Sequence, residues 1–442
     1  MLETNNGCIL GDEMGLGKTM QVITEMLTLK AAGFNPMLVV APISLLVNWQ
    51  RECQKFAPSL TTYIHHGGNR ISNFREFLNY DVIITSYTTV VSDIYLLNMV
   101  KWNLVVLDEA QSIKNPSSAR TKACKALNRV RSLAVSGTPF ENHVTDIWSL
   151  IDYIQPGLLG SLQTYCDSIT DDEEGGRKIE PILSALMVRR IVADVAKDLP
   201  EKVISTQPLQ MSAIECEQYN DFLDEIKEGS ESSNPTLATL QRLRIYCTHP
   251  YATKEEICDM DPTQSSIKYQ RFCEIVEEII SREEKVIVFT SFVRMFDIFK
   301  ADVPSRFGIR LWTINGSTPV EERQQIVDRF NQLEGSAMLV LNPRAAGTGL
   351  NITGANHVIH YNLEWNPSLE DQSSARAYRR GQQKTVFIYR LYYENTVEQV
   401  VNERIERKRD IASNAIVGND GISQDRADIL RALELIPSIT NK

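Results

Sequence analysis

The 442 residues carry a formal net charge of −10 and are 43% apolar, enough to fill the cores of two or three domains. An acidic balance argues against a uniformly basic nucleic-acid binder, because affinity for phosphates comes from Lys and Arg, but it leaves room for a narrow basic track on an acidic body. No apolar run approaches the eighteen or so residues that span a bilayer, and Met1 to Gly7 lacks the pattern of a secretory signal; a soluble, cytoplasmic protein without membrane partners is expected.

In chain order, Cys8 to Leu10 reads as a strand leading into Gly11-Asp12-Glu13-Met14-Gly15-Leu16-Gly17-Lys18-Thr19, and Thr19 to Lys30 has helical spacing. This is the pattern of a phosphate-binding loop. Gly15 and Gly17 let backbone N–H groups face phosphates, Lys18 reaches the β and γ phosphates, and the Thr19 hydroxyl suits Mg²⁺. Asp12 stands where the strict pattern has glycine, so an ordinary glycine-rich turn stays open at this point.

Short apolar, β-branched runs follow at Met37–Ala41, Asp81–Thr85, Leu104–Leu107 and Leu133–Ser136, and a second series at Val286–Thr290, Leu311–Ile314, Ala337–Leu341, Val358–Tyr361 and Val386–Tyr389. Helical patterns such as Glu321 to Phe330 alternate with them, which points to parallel α/β sheets. The stretch between the series carries helical patterns at Asp146 to Tyr153 and Ser212 to Ile226. Asp171 to Gly176 and Glu228 to Pro235 have the composition of surface loops, and Thr396 to Ile411 reads as a charged helix. The expected division is residues 1–140, a first lobe; 141–265, helical protrusions and a linker; 266–415, a second lobe; and 416–442, a tail.

The run Leu104–Leu107 ends in Asp108-Glu109-Ala110-Gln111. Acids at the carboxyl end of a parallel strand lie where open α/β sheets bind ligands. Asp108 is placed to hold Mg²⁺ and Glu109 to polarise an attacking water. Ser136-Gly137-Thr138-Pro139 either relays the state of the γ phosphate or is a tight turn. In the second series, Arg376 and Arg379 are three apart and would share one helix face, offering two-point contacts to phosphate. The eight cysteines never form Cys-x-x-Cys and are expected as reduced, packed thiols; His65-His66 read as loop residues before Gly67-Gly68.

Taken together and in this order, these blocks resemble the Swi/Snf-related helicase-like ATPases of superfamily two. The match also includes Ala41-Pro42-Ile43-Ser44-Leu45-Leu46-Val47-Asn48-Trp49, Thr85-Ser86-Tyr87, Leu186-Met187-Val188-Arg189-Arg190, Val288 to Phe292, Ala345 to Asn351, Trp365-Asn366-Pro367 and Arg376 to Gln382. The resemblance implies two RecA-like lobes with helical insertions between them, ATP and Mg²⁺ as cofactors, and hydrolysis at the lobe interface. It implies Lys18, Asp108, Glu109, Arg376 and Arg379 as catalytic residues, the arginines as fingers, with Gln111 and Gly349 also at the nucleotide. Double-stranded DNA is the implied partner, gripped through Pro42, Ser44, Thr85, Ser86, Ser291, Asn315, Gly316, Thr348 and Asn351. Gln111 and Tyr378 stand where many relatives have His. The family's adenine-reading segment lies upstream of the phosphate loop, and ten residues precede Gly11 here; a further N-terminal segment or a protein partner is expected to complete the adenine pocket. The implied activity is DNA-dependent ATP hydrolysis driving translocation along duplex. A strand-separating or restriction-type motor, or a nucleotide-gated scaffold, are the competing readings.

Overall fold

The computed structural model describes residues 7–137, 144–170, 173–195, 199–228, 237–253, 261–346 and 350–414, with isolated positions beyond. The chain divides into two compact units, Met1–Lys197 with Ile411–Gly421, and Asp198–Asp410 with Ile422–Lys442. Among the described residues no helix is long and apolar enough to cross a membrane.

The first unit is built on strands β1 (Gly7–Leu10), β2 (Met37–Ala41), β3 (Thr62–His65), β4 (Val82–Ser86), β5 (Trp102–Asp108), β6 (Arg129–Val135) and β7 (Met187–Val188), in the order β3-β4-β2-β5-β6-β1-β7. Every pairing is parallel. Strand alternation sends Leu38, Val40, Ile83, Val105 and Leu107 to the apolar core on one face. Met37, Val39, Ile84, Leu104 and Val106 go to the other. Burial on both faces is what makes these strands read as continuous apolar runs.

The second unit repeats the plan with β8 (Lys202–Leu209), β9 (Lys285–Phe289), β10 (Arg310–Ile314), β11 (Ala337–Leu341), β12 (His357–His360) and β13 (Val386–Tyr393), again parallel, in the order β10-β11-β9-β12-β13-β8. Val286, Val288 and Val340 face one core, and Ile287, Phe289 and Leu339 the other. The architecture is α/β, two RecA-like lobes of parallel sheet flanked by helices. Helix starts follow local chemistry: Ser118, Ser161 and Ser266 each accept the backbone N–H three residues on, the usual role of an N-cap hydroxyl.

The structure departs from the sequence reading in several places. Strand β8 lies in the stretch read as helical and adds an edge to the second sheet. The segment read as a loop at Asp171 to Gly176 is, from Glu173 onward, the start of helix Glu173–Leu186. Gly175 and Gly176 are buried there, and Glu174 pairs with Lys178 at 2.8 Å one turn on. His65 is no loop residue: it closes β3, is fully buried, accepts the Ile71 N–H at Nδ1 (3.0 Å) and faces Asp93 Oδ2 through Nε2 (3.0 Å). Finally, helix Pro367–Ser374 stops before Arg376. Of the cysteines, Cys8, Cys53, Cys124, Cys216 and Cys247 are buried and free, Cys273 is half-buried and Cys166 exposed.

Candidate functional site

The phosphate loop joins β1 to helix Lys18–Ala31. Gly17 occupies the N-cap with φ 75° and Gly15 has φ 90°, left-handed values that a side chain resists. Lys18 Nζ donates to the carbonyls of Asp12 (2.7 Å) and Glu13 (3.3 Å), so the ammonium lies along its own loop. A Cβ at Gly137 would come within 2.8 Å of the Met14 side chain.

Strand β5 delivers Asp108 and Glu109 next to this loop's strand layer. Trp49 Nε1 donates to Asp108 Oδ2 at 2.7 Å, the Glu109 N–H donates to Oδ1 at 3.0 Å, and Tyr87 donates its hydroxyl to the Asp108 carbonyl at 2.8 Å. Burial, reinforced by the neighbouring Glu109 charge, pushes the Asp108 carboxyl up to about 7 against the pull of Trp49, the Glu109 amide and Lys18. Glu109 has φ 51°, a left-handed conformation that costs a non-glycine residue about 1–3 kcal/mol and is retained where function over-determines it. Gln111 Nε2 donates to Glu109 Oε2 at 2.7 Å, and Ser136 Oγ donates to Gln111 Oε1 at 2.8 Å. The Ser136 N–H is anchored on the Leu10 carbonyl at 3.1 Å. A chain of hydrogen bonds therefore runs from the acid Glu109 through Gln111 to Ser136, the residue after β6, which pairs with β1. Thr138 and Pro139 lie outside the described residues.

Residues that the motifs did not single out complete this site. Trp49 and Tyr87 orient Asp108, and Arg190 and Gln21 bind Asp12. Trp49 and Arg190 were visible inside longer matching blocks, but no local spacing assigns them a partner. Among the described residues no cluster of three or more His, Cys, Asp or Glu side chains could hold a metal by itself.

In the second unit the Arg376–Gln382 segment is a succession of turns. The Arg376 N–H donates to the Ser373 carbonyl (3.1 Å), the Tyr378 N–H to Ser374 (3.0 Å) and the Gln382 N–H to Arg379 (3.0 Å). The shared helix face expected for Arg376 and Arg379 is thus replaced by turn geometry, because helix Pro367–Ser374 ends at Ala375. Buried Gln382 fixes the segment, donating to the Ala355 carbonyl (2.8 Å) and accepting from the N–H groups of Gln383 and Lys384 (3.0 Å each). The helix before it is held by Arg390 and Arg409, which reach Glu370 at 3.2 and 3.5 Å, and by Arg409 on Asp371 at 2.6 Å.

The expected DNA contacts gather on the carboxyl edges of the two sheets, though not all with free side chains. Pro42 and half-buried Ser44 follow β2, whose Ala41 pairs with Ser86 of β4. Thr85 and Ser86 are fully buried. The Thr85 hydroxyl donates to the His65 carbonyl at 2.8 Å, and Ser86 caps the next helix by accepting the Thr89 N–H at 3.2 Å. Their side chains are committed internally, and Thr88 on that edge is exposed. In the second unit, Ser291 follows β9 and donates to Glu364. Asn315 follows β10, and its Oδ1 accepts the Ser317 N–H at 3.0 Å, leaving Gly316 exposed. Asn342, after β11, joins them by donating to the Ser291 carbonyl at 3.4 Å. Asn351 is exposed. Thr348 and Gly349 lie outside the described residues.

The SNF2-related domain matches residues 1–252, and the helicase conserved C-terminal domain matches residues 267–381. The chain is 34% identical over 442 residues to the putative ATP-dependent helicase/translocase YwqA of Bacillus subtilis, covering 96% of this chain and 48% of that protein. It is 32% identical to the Zorya protein ZorD of Escherichia coli (95% and 44% covered) and 30% identical to the DNA repair and recombination protein RAD54B of Gallus gallus (93% and 52%). The chain spans about half the length of the curated relatives it matches. Among solved structures it is similar to the SWI2/SNF2 ATPase core of Sulfolobus solfataricus in complex with dsDNA, at 30% identity, 98% and 93% coverage and a TM-score of 0.45. With more than half of its length matched by the SNF2-related domain, and the helicase C-terminal domain following in order, the chain belongs to the SNF2-related family of helicase-like ATPases.

Proposed function

We propose that this chain is a DNA-dependent ATPase that translocates along double-stranded DNA and remodels protein–DNA complexes. The observation that carries the reading is the hydrogen-bonded line Glu109–Gln111–Ser136 beside the phosphate loop. Glu109 accepts the proton of the attacking water, and Gln111 and Ser136 pass its position to the end of β6, so that hydrolysis and lobe conformation are linked. Lys18 exchanges the Asp12 and Glu13 carbonyls for the β and γ phosphates. Arg376 and Arg379 supply the positive charge that phosphoryl transfer needs around the γ phosphate. The similarity to YwqA, a putative helicase/translocase, and to RAD54B, a DNA repair and recombination protein, favours DNA as the track.

Magnesium fits the acid end of this site. Asp108 is half-buried beside Glu109, and its carboxyl is pushed up to about 7, so a divalent cation there offsets negative charge that Trp49 and Lys18 counter only in part. Asp108 and Thr19 would hold it. When bound, it neutralises charge on the β and γ phosphates.

The test is a pair of strand assays with ATP. Displacement of a third strand from a triplex, without separation of a forked duplex, is the expected result. Efficient separation of the fork would favour a strand-separating helicase. Failure to displace the third strand despite ATP turnover would remove translocation.

A further inference from the structure

Asp12 replaces the glycine of the strict phosphate-loop pattern, and its surroundings show a use for the carboxylate. It is fully buried, and its cation comes from 178 positions further along the chain. Arg190 Nε donates to both carboxylate oxygens (3.1 and 3.2 Å), Nη2 donates to Oδ2 (2.5 Å), and the Arg190 backbone N–H donates to Oδ1 (3.0 Å). Gln21 Nε2 adds a bond of 3.0 Å to Oδ2, while its Oε1 accepts from Arg190 Nη2. Burial by itself would raise the Asp12 carboxyl, but the hydrogen bonds and charge of Arg190, with Gln21, outweigh it and hold the group below the usual range. One guanidinium thus joins the loop, the first turns of helix Lys18–Ala31 and the strand segment after β7.

Backbone bonds continue the same seam. The Gly11 N–H donates to the Val188 carbonyl (2.8 Å) and the Glu13 N–H to the Arg190 carbonyl (2.9 Å), while Glu13 Oε2 accepts the Val192 N–H (2.7 Å). The β1–β7 ladder, which pairs Leu10 with Val188, is extended alongside the first half of the phosphate loop. A loop with glycine at position 12 would have no side chain to reach this seam. The Leu186-Met187-Val188-Arg189-Arg190 block, which no step of hydrolysis uses directly, is the other half of the latch.

We propose that Arg190 is a positioning residue for the phosphate loop: through Asp12 and Gln21 it holds the loop backbone in the shape that receives the β and γ phosphates of a nucleoside triphosphate. The proposal rests on the nucleotide-site reading above and is independent of what the motor acts on. Its guanidinium is occupied by Asp12 and Gln21, so its effect reaches the phosphates through the loop. Lysine cannot replace it, because a single ammonium does not span two carboxylate oxygens and an amide.

The experiment is a double-mutant cycle, Arg190→Ala, Asp12→Asn and both together, read by calorimetric binding of ADP and a non-hydrolysable ATP analogue, by KM and kcat for ATP, and by thermal unfolding. Arg190→Ala is expected to weaken both nucleotides roughly tenfold and to raise KM by a similar factor with kcat largely kept, the pattern of lost ground-state positioning. Arg190→Lys does not restore the affinity. The double variant binds no worse than Arg190→Ala alone. Should Arg190→Ala fail to fold, Asp12→Asn, which keeps shape and relieves the buried charge, gives the same reading by weakening both nucleotides several-fold. Wild-type affinity in a folded Arg190→Ala or Asp12→Asn variant overturns the latch, as do additive losses in the cycle, which mark Arg190 as a direct phosphate contact. Because binding is read without DNA, loss of duplex stimulation alone would strike the translocase reading and leave the latch standing.

Discussion

The two units share a sheet plan but differ in how Asp108 of the first and the core charges of the second are met. In the first, half-buried Asp108 ends β5 with a tryptophan N–H and a backbone amide as its hydrogen-bond donors, and its carboxyl is pushed up to about 7. In the second, the buried charges are matched within the fold: Lys268 with Glu398 at 2.5 Å, both almost fully buried, and Arg390 with Glu370 at 3.2 Å. A buried pair completed by its own partners rigidifies a scaffold, whereas an acid held only by neutral N–H donors is poised for an outside cation. The first unit is accordingly arranged as the ligand-dependent half, and the second as a braced support for the Arg376–Gln382 segment.

The largest expected effect falls on that segment. Arg376→Ala and Arg379→Ala should each lower DNA-stimulated turnover by about 10³-fold or more, with lysine failing to rescue and thermal stability little changed. Stopped ATPase assays beside melting curves check this, and full rescue by lysine would remove the finger assignment. Next, Glu109→Gln should cut turnover by roughly 10²- to 10⁴-fold while nucleotide binding stays near wild type, since the charge that takes the water proton is gone but the shape remains. Turnover within a few-fold of wild type would break the contrast between the units.

The scaffold role of the second unit is tested by stability instead. Lys268→Met leaves Glu398 buried without its cation and should cost about 3–5 kcal/mol, of which Lys268→Met with Glu398→Leu regains a large part. Denaturant titration reads both, and a neutral single variant would contradict the idea of matched internal charge.

Acid provides a smaller, graded test. Burial holds His249 at about 4 and His360 at about 3, both below the ordinary 6.5, and burial also lowers His357 against the pull of Glu284. These rings are neutral in the fold, so below pH 6.5 the unfolded chain takes up protons that the folded unit refuses. Stability is fully present above that value and is lost as pH falls towards 4, by roughly 3 kcal/mol for a shift the size of that at His249. The first unit has His65 lowered by burial against the raising effect of Asp93. Hydrogen exchange between pH 7 and 5 should show the second unit loosening first; equal loosening would count against the assignment.

The comparison also shows what could be read from residues alone. Strands β2 and β11 match their apolar runs end to end, because they are interior strands buried on both faces. The edge strand β10 was read at Leu311–Ile314, but the edge strands β3, β7 and β8 escaped. Half-exposed β3 has too little apolar signal, and β8 alternates exposed and half-buried positions and contains Pro208, tolerated because a sheet edge does not need every N–H. At the site, Lys18, Asp108, Glu109 and Gln111 were legible because each lies in a contiguous motif. The Trp49–Asp108 and Asp12–Arg190 contacts were not, since their partners are 59 and 178 residues apart in sequence. Spacing suggested a helix through Arg376 and Arg379, but a three-residue interval also suits the successive turns found there.

The most direct test of the central claim is ATP turnover by this chain measured in parallel without nucleic acid, with duplex DNA, with single-stranded DNA and with RNA. Strong stimulation by duplex DNA, exceeding that by single strands or RNA and abolished in Glu109→Gln, is the predicted result. Turnover indifferent to duplex, or stimulated most by single strands, would contradict it.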